Sequence, residues 1–330
     1  MCKPSISKDA LITNYKSDLI KRYWEYQRLH YPGWRGIFER PFAQDGRPPV
    51  FLVQEAWRNI LFNPNASEQE KGALLQLIPE GEHHKWFRSM NSSQALALSI
   101  LGNLAIHNSM DCLSTLMDDD GDSLLGSAKI TSNNFSMEHK ISFLGERRRT
   151  SLDGYISGNY RLAIECKFTE TEVGSCSRPR LTPADSNYES ELCDGSYSQQ
   201  RSRIERCSLT EIGVAYWKYI PALFRIGNDI DLDPCPVNKN YQLIRNILAI
   251  GVNEDGSVSD KNGHALLIYD ERNPAFMKGG NGFKSYVEMR AALKRSNMLR
   301  KCSWQKITHC IRKNNVLPWL TDQLAAKYGL

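Results

Sequence analysis

The chain has 330 residues, 41% of them hydrophobic and 24% charged, with a formal net charge of +5. This is enough for one large domain or two smaller ones with a real core, and the mild basicity stops well short of a histone-like tail. The start lacks the apolar core of a signal peptide. The most apolar long run, 95–106, is interrupted by Ser99, Gly102 and Asn103 and is too short to span a bilayer. The expectation is therefore a cytoplasmic protein with no membrane contact, whose nine cysteines are reduced thiols or metal ligands.

Residues 1–90 read as a helical subdomain with turn-rich joints. Leu11, Tyr15, Leu19, Tyr23 and Tyr26 recur at helical spacing over 9–29, before the turn signal Tyr31-Pro32-Gly33. Short helices are expected at 54–62 and 67–77. The aromatic run Tyr23, Trp24, Tyr26, Tyr31, Trp34 and Phe38 reads first as the core of this subdomain, and second as a surface on which bases could stack. A further helix is expected over 92–107, capped by Asn91, Ser92 or Ser93, with Gln94 in its first turn. The acidic run Asp118-Asp119-Asp120-Gly121-Asp122 lacks the spacing and closing Glu of a calcium loop and reads as a solvated loop.

A strand is expected over 135–144, with Glu138 on its polar side. Arg147, Arg148 and Arg149 follow, suited to phosphate contacts or simply to solvent. Then come two β-type runs around a Gly158-Asn159 turn signal, which read as a hairpin. In the second run Leu162, Ile164, Cys166 and Phe168 share one face, leaving Glu165 and Lys167 on the other. A strict two-residue loop would pair Asp153 with Ile164 on the core face. A three-residue loop, Gly158 to Tyr160, or a bulge would pair it with Glu165. A lone buried aspartate is costly, so the second register is expected. Two carboxylates and a lysine at a strand edge can hold a divalent cation and position a water for attack on phosphorus.

At these residues the chain resembles the PD-(D/E)XK, or restriction-endonuclease-like, nucleases. Asp153 followed by Glu165-Cys166-Lys167 matches their Asp…Glu-X-Lys pattern, with Leu152 where the name has proline. The runs 92–97, 166–170 and 241–246 extend the likeness over roughly 85–275, toward a prokaryotic branch of that superfamily. The resemblance implies an α/β fold with a restriction-endonuclease-like core at 91–275: helix, three-strand meander, helix, strand. A Cys-containing insertion at 170–238 would interrupt it, and a basic helical extension at 276–330 would follow. It further implies hydrolysis of DNA by an endonuclease dependent on Mg²⁺ or Mn²⁺. Asp153, Glu165 and the carbonyl of Cys166 would hold the metal, with Glu138 as an additional acid. Lys167 would polarise the attacking water. Gln94 would stand where relatives carry a Glu, and Gln242 would face the site.

Several alternatives stay open. Arg245 shares a helical face with Gln242 and is a candidate nucleic-acid contact. Cys176, Cys193, Cys207 and Cys235, spaced 17, 14 and 28 residues apart, are either independent thiols or ligands of zinc or an iron–sulfur cluster. DNA is the expected partner, with a second copy of the chain as a further candidate. The rival to the enzyme is a nucleic-acid-binding or scaffold module that keeps the fold without cutting. A cysteine nucleophile at Cys166 is disfavoured by its apolar face.

Overall fold

The structure, a computed structural model, describes residues 7–39, 46–79, 81–131, 133–146, 151–176, 207–226 and 235–330. Helix α1 spans Lys8–His30. Ser7 caps it by accepting from the Ala10 N–H, and Tyr15, Leu19, Tyr23 and Tyr26 form its buried stripe. The expected helix at 54–62 is a 3-10 turn, Val53–Asn59. Helix α2, Glu68–Leu75, opens with a capping box between Ser67 and Glu70. Helix α3 is continuous but changes pitch: α-helical at Ser93–Ala97, π at Leu98–Gly102, α-helical again at Asn103–Ile106. Polar side chains bond its backbone there. Ser99 donates to the Ala95 carbonyl at 2.7 Å, and Asn103 donates to the Ser99 carbonyl at 2.8 Å.

Five strands form one sheet in the order β1 (Phe135–Lys140), β2 (Ser151–Ile156), β3 (Arg161–Cys166), β4 (Gly263–Tyr269) and β5 (Leu299–Ser303). The first three form an antiparallel meander, and β3, β4 and β5 run parallel. Between β3 and β4 come α4 (Ser208–Glu211), α5 (Tyr216–Leu223) and α6 (Pro236–Gly251). Helix α7 (Asn281–Ala292) links β4 to β5, and α8 (Trp304–Lys313) and α9 (Pro318–Tyr328) close the chain. Pairing of Gly154 with Ile164 and Ile156 with Leu162 sets Asp153 opposite Glu165, the register expected on the cost of burying a lone aspartate. On the other edge of β2, Met137 pairs Gly154 and His139 pairs Leu152, so Glu138 stands opposite Asp153.

Apolar layers cover both faces of the sheet. Leu162, Ile164 and Cys166 of β3 pack with α1, α3, α8 and α9 in one cluster, while Ala163 of β3 and Leu267 of β4 pack with α5, α6 and α7 in the other. All seven residues of β4 are buried, as a parallel strand covered on both faces requires. Except for Trp24, the aromatic run belongs to the first layer: Tyr23 meets Tyr328 edge-on, and Phe38 lies on Phe51.

Three expectations are corrected. The strand expected over 135–144 ends at Lys140, and Glu138 within it takes a left-handed φ of 47°. Residues 299–303, expected to be helical, form β5 because β4 offers them a parallel edge. The acidic run at 118–122 is a clamp rather than a solvated loop. Asp118 is 3% exposed, Asp119 binds Lys301 at 2.7 Å and Lys306 at 2.6 Å, and Asp120 takes Arg290 and the Tyr286 hydroxyl. Three cations of the C-terminal region, Arg290, Lys301 and Lys306, are thus paired with this run. Among the described residues, no helix is long and apolar enough to cross a membrane.

Candidate active site

The hydrogen-bonded pairing of β2 with β3 runs to Gly154 and Ile164. One step further, the Cys166 N–H donates 2.6 Å to Oδ2 of Asp153. The Cys166 carbonyl projects toward the same edge, because the N–H and C=O of a strand residue point the same way. On the other side Lys167 continues the parallel pairing, its N–H donating 2.7 Å to the Ile268 carbonyl. The stretch after β3 is clamped from several elements. Trp304 of α8 donates to the Lys167 carbonyl at 3.1 Å, and Tyr15 of α1 and Asn273 donate to the Phe168 carbonyl at 3.0 and 2.8 Å.

Alternation turns Glu165 toward α6, where it is 2% exposed. Its Oε1 accepts from Lys167 Nζ at 2.7 Å. Its Oε2 accepts from Arg245 Nη2 at 3.1 Å and Asn246 Nδ2 at 2.9 Å. Lys167 Nζ also donates 2.8 Å to Gln242 Oε1. Gln242, Arg245 and Asn246 reach the same pair because positions i, i+3 and i+4 share a helix face. Arg245, expected as a nucleic-acid contact, is 4% exposed and serves as a buried partner of Glu165. Asn246 was not expected at the site, although its spacing from Gln242 was the available signal.

Glu138 is the third acid at this edge. Its left-handed backbone brings the carboxylate to Gln94, whose Nε2 donates 2.6 Å to Oε1, and to the Ser151 hydroxyl. Gln94 in turn accepts from the His84 N–H at 2.8 Å and donates to the Glu82 carbonyl at 3.0 Å. Glu170, also unforeseen, accepts from the Ser93 hydroxyl at 2.6 Å and the Phe168 N–H at 2.6 Å. Asp153, Glu165, Lys167, Glu138, Gln94 and Gln242 all line one cleft of about 1190 Å³.

The electrostatics follow from crowding. Burial, and then the charge of Glu165, push Asp153 well above its ordinary value, with Glu138 adding to the effect. Burial would also raise Glu165, but Lys167 and Arg245 outweigh it and hold this carboxyl below its ordinary value. Burial would lower Lys167, yet Glu165, Glu170 and Asp153 carry it upward, so it stays an ammonium. The Cys166 thiol is pushed well up by burial and by Asp153, the opposite of what a thiolate nucleophile needs.

Asp153, Glu165 and the Cys166 carbonyl are hard oxygen donors on two adjacent strands, a set that could hold Mg²⁺ or Mn²⁺ together with waters. The described hydrogen bond to Asp153 uses Oδ2, which leaves Oδ1 for a metal, and a cation would relieve the repulsion that raises this carboxyl. Among the described residues, no three His, Cys, Asp or Glu side chains gather as a ligand set for a metal. Cys176, Cys207 and Cys235 therefore make no three-thiol site by themselves. Cys207 and Cys235 are buried in the apolar layer over α6. Cys193 and Arg147, Arg148 and Arg149 lie outside the described residues, as does much of 170–238.

Searches of curated proteins and of solved structures returned no match to this chain. The sequence pattern of one family does match, over residues 39–329, which takes in the cleft, the whole sheet and all of both apolar layers except α1, the other residues before 39 and the last residue: the chain belongs to the family described as "Restriction Endonuclease associating with ARP".

Proposed function

We propose that the protein is a metal-dependent nuclease that hydrolyses phosphodiester bonds in DNA at the Asp153–Glu165–Lys167 cleft. The observation that carries this reading is the Lys167 ammonium, held between Glu165 and Gln242 at the floor of a cleft that also presents Asp153. The family description supports it, since a restriction endonuclease acts on DNA. The order of helix α3, meander β1–β3, helix α6 and strand β4 agrees with the order that the resemblance implies, which supports it further.

Each residue then has a task. Asp153, Glu165 and the Cys166 carbonyl would hold the cation. A bound Mg²⁺ or Mn²⁺ would supply Lewis-acid stabilisation of charge on the phosphoryl oxygens and acidify a water. Lys167 holds the attacking water and faces the charge that grows on phosphorus. Gln242 and Glu165 fix the ammonium so that little reorganisation is needed during reaction. Glu138, kept in place by Gln94 and Ser151, would accept a proton at the same edge.

One observation favours a second reading. Both oxygens of Glu165 already accept hydrogen bonds, from Lys167, Arg245 and Asn246, an arrangement that would also suit a scaffold which binds nucleic acid without cutting. A supercoiled-plasmid assay in Mg²⁺, in Mn²⁺ and in EDTA separates the two. Nicking or linearisation that needs the metal supports the nuclease. Protein that binds DNA yet leaves both the plasmid and a single-stranded DNA circle intact in both metals overturns it in favour of the scaffold.

A further inference from the structure

Trp86 is 49% exposed and lines the cleft. A half-exposed tryptophan at a cleft wall offers a flat, apolar ring face to whatever enters the cleft. The wall that carries it is rigid. Phe87, the next residue, is 3% exposed and stacks on His83 at 4.3 Å. Behind the wall, fully buried Asn59 donates to the carbonyls of Phe87 and Ser89 at 2.6 and 2.7 Å, gripping the turn on both sides of Arg88. Asn59 is itself held by Lys327 of α9, whose Nζ donates 2.6 Å to its carbonyl and 2.8 Å to its Oδ1. Lys85 Nζ lies 5.2 Å from the Trp86 ring centroid.

The wall also sits close to the reacting groups. His84, two residues before Trp86, donates its N–H to Gln94, and Gln94 donates to Glu138, so two hydrogen bonds connect the wall to the carboxylate edge. The acids of the wall are already neutralised, Glu39 by Arg88 and Glu82 by Lys140, so a phosphate backbone can pass them. At the floor, Glu165 is 2% and Lys167 6% exposed. A strand must come down into the cleft to place a phosphate there.

We infer that Trp86 is a stacking platform for a nucleobase next to the scissile phosphate, and that the preferred substrate is single-stranded DNA or an unpaired segment of a duplex. A base inside a duplex has both faces covered by its neighbours; away from a duplex end, only an unpaired base can lay a face on an indole. Stacking tolerates any base, so the site selects strandedness rather than sequence. This inference rests on the nuclease reading above for the word scissile, and on the wall geometry alone for the stacking.

The test uses the full chain with fluorescein-labelled oligothymidylate, either free or annealed to oligoadenylate. Binding is measured in EDTA and cutting in Mn²⁺. The expected result is tighter binding and faster cutting of the free strand. Trp86→Ala should lose roughly ten- to hundredfold in free-strand affinity, with little change for the duplex. Trp86→Phe should recover much of the loss, and both variants should melt within a few degrees of the wild type, since the ring is half exposed. Trp86→Ala binding and cutting the free strand like wild type, or a wild-type preference for the duplex, overturns the inference. Trp86-dependent free-strand binding with no cutting by any protein would retain the platform and reject the nuclease.

Discussion

Lys167 Nζ lies 2.7 Å from Glu165 Oε1, with the two side chains only 7% and 2% exposed. A surface pair of this kind contributes at most about 1 kcal/mol, whereas breaking a buried one leaves a charge without its partner. Lys167→Ala should therefore cost stability on the order of 2 kcal/mol, less than a full buried-pair loss because Arg245 and Asn246 still hold Glu165. Turnover should fall on the order of 10²–10³ while DNA binding largely survives. Urea unfolding, a binding titration and a plasmid time course check the three parts. Wild-type cutting by a folded Lys167→Ala protein would show that the ammonium has no part in the chemistry.

Asp153→Asn should behave in the opposite way on stability. The amide oxygen can still accept from the Cys166 N–H, while the repulsion with Glu165 and Glu138 disappears. The carboxyl of Asp153 is raised in the folded state, so above the ordinary aspartate range the folded protein holds a proton that the unfolded chain has lost. Its contribution is present at low pH and is lost as pH rises through the folded value. In metal-free buffer Asp153→Asn should thus match the wild type at acid pH and exceed it in stability as pH rises. Adding Mg²⁺ should raise the melting temperature of the wild type and leave that of the variant in place. A variant that gains as much from Mg²⁺ as the wild type would remove Asp153 from the metal site.

Arg245→Gln separates a buried partner from a phosphate contact. Loss of the guanidinium beside Glu165 should cost about 2–4 kcal/mol in unfolding free energy. The salt dependence of DNA binding should not change, since each lost phosphate contact would shift the log–log slope by about 0.9. A shift of that size with unchanged stability would return Arg245 to the nucleic-acid surface.

Lys327 gives a pH signature away from the cleft. It is 0% exposed, and burial lowers its ammonium to about 7 from the ordinary 10.5. Between those values the unfolded chain carries a proton that the folded protein has released, so stability rises with pH there. Unfolding free energies of wild type and Lys327→Met, measured from neutral to mildly alkaline pH, should diverge in favour of the wild type as pH increases. Parallel curves would mean that the ammonium stays charged in the fold.

The features legible along the chain are local ones. The period-two alternation of 162–168 separated Glu165 and Lys167 from the apolar face, and the cost of a lone buried aspartate selected the register that sets Asp153 opposite Glu165. Helical spacing likewise placed Gln242 and Arg245 on one face of α6. Tertiary structure decided which charges meet. Asn246 and Arg245 close on Glu165 from 80 or more residues away, and Glu138 reaches the edge through a left-handed residue inside a strand. The acidic run at 118–122 looked solvated because its cationic partners, Arg290, Lys301 and Lys306, lie far along the chain. Residues 299–303 carry no strand signal for the same reason: five residues have no strand identity until β4 supplies the edge that satisfies their backbone.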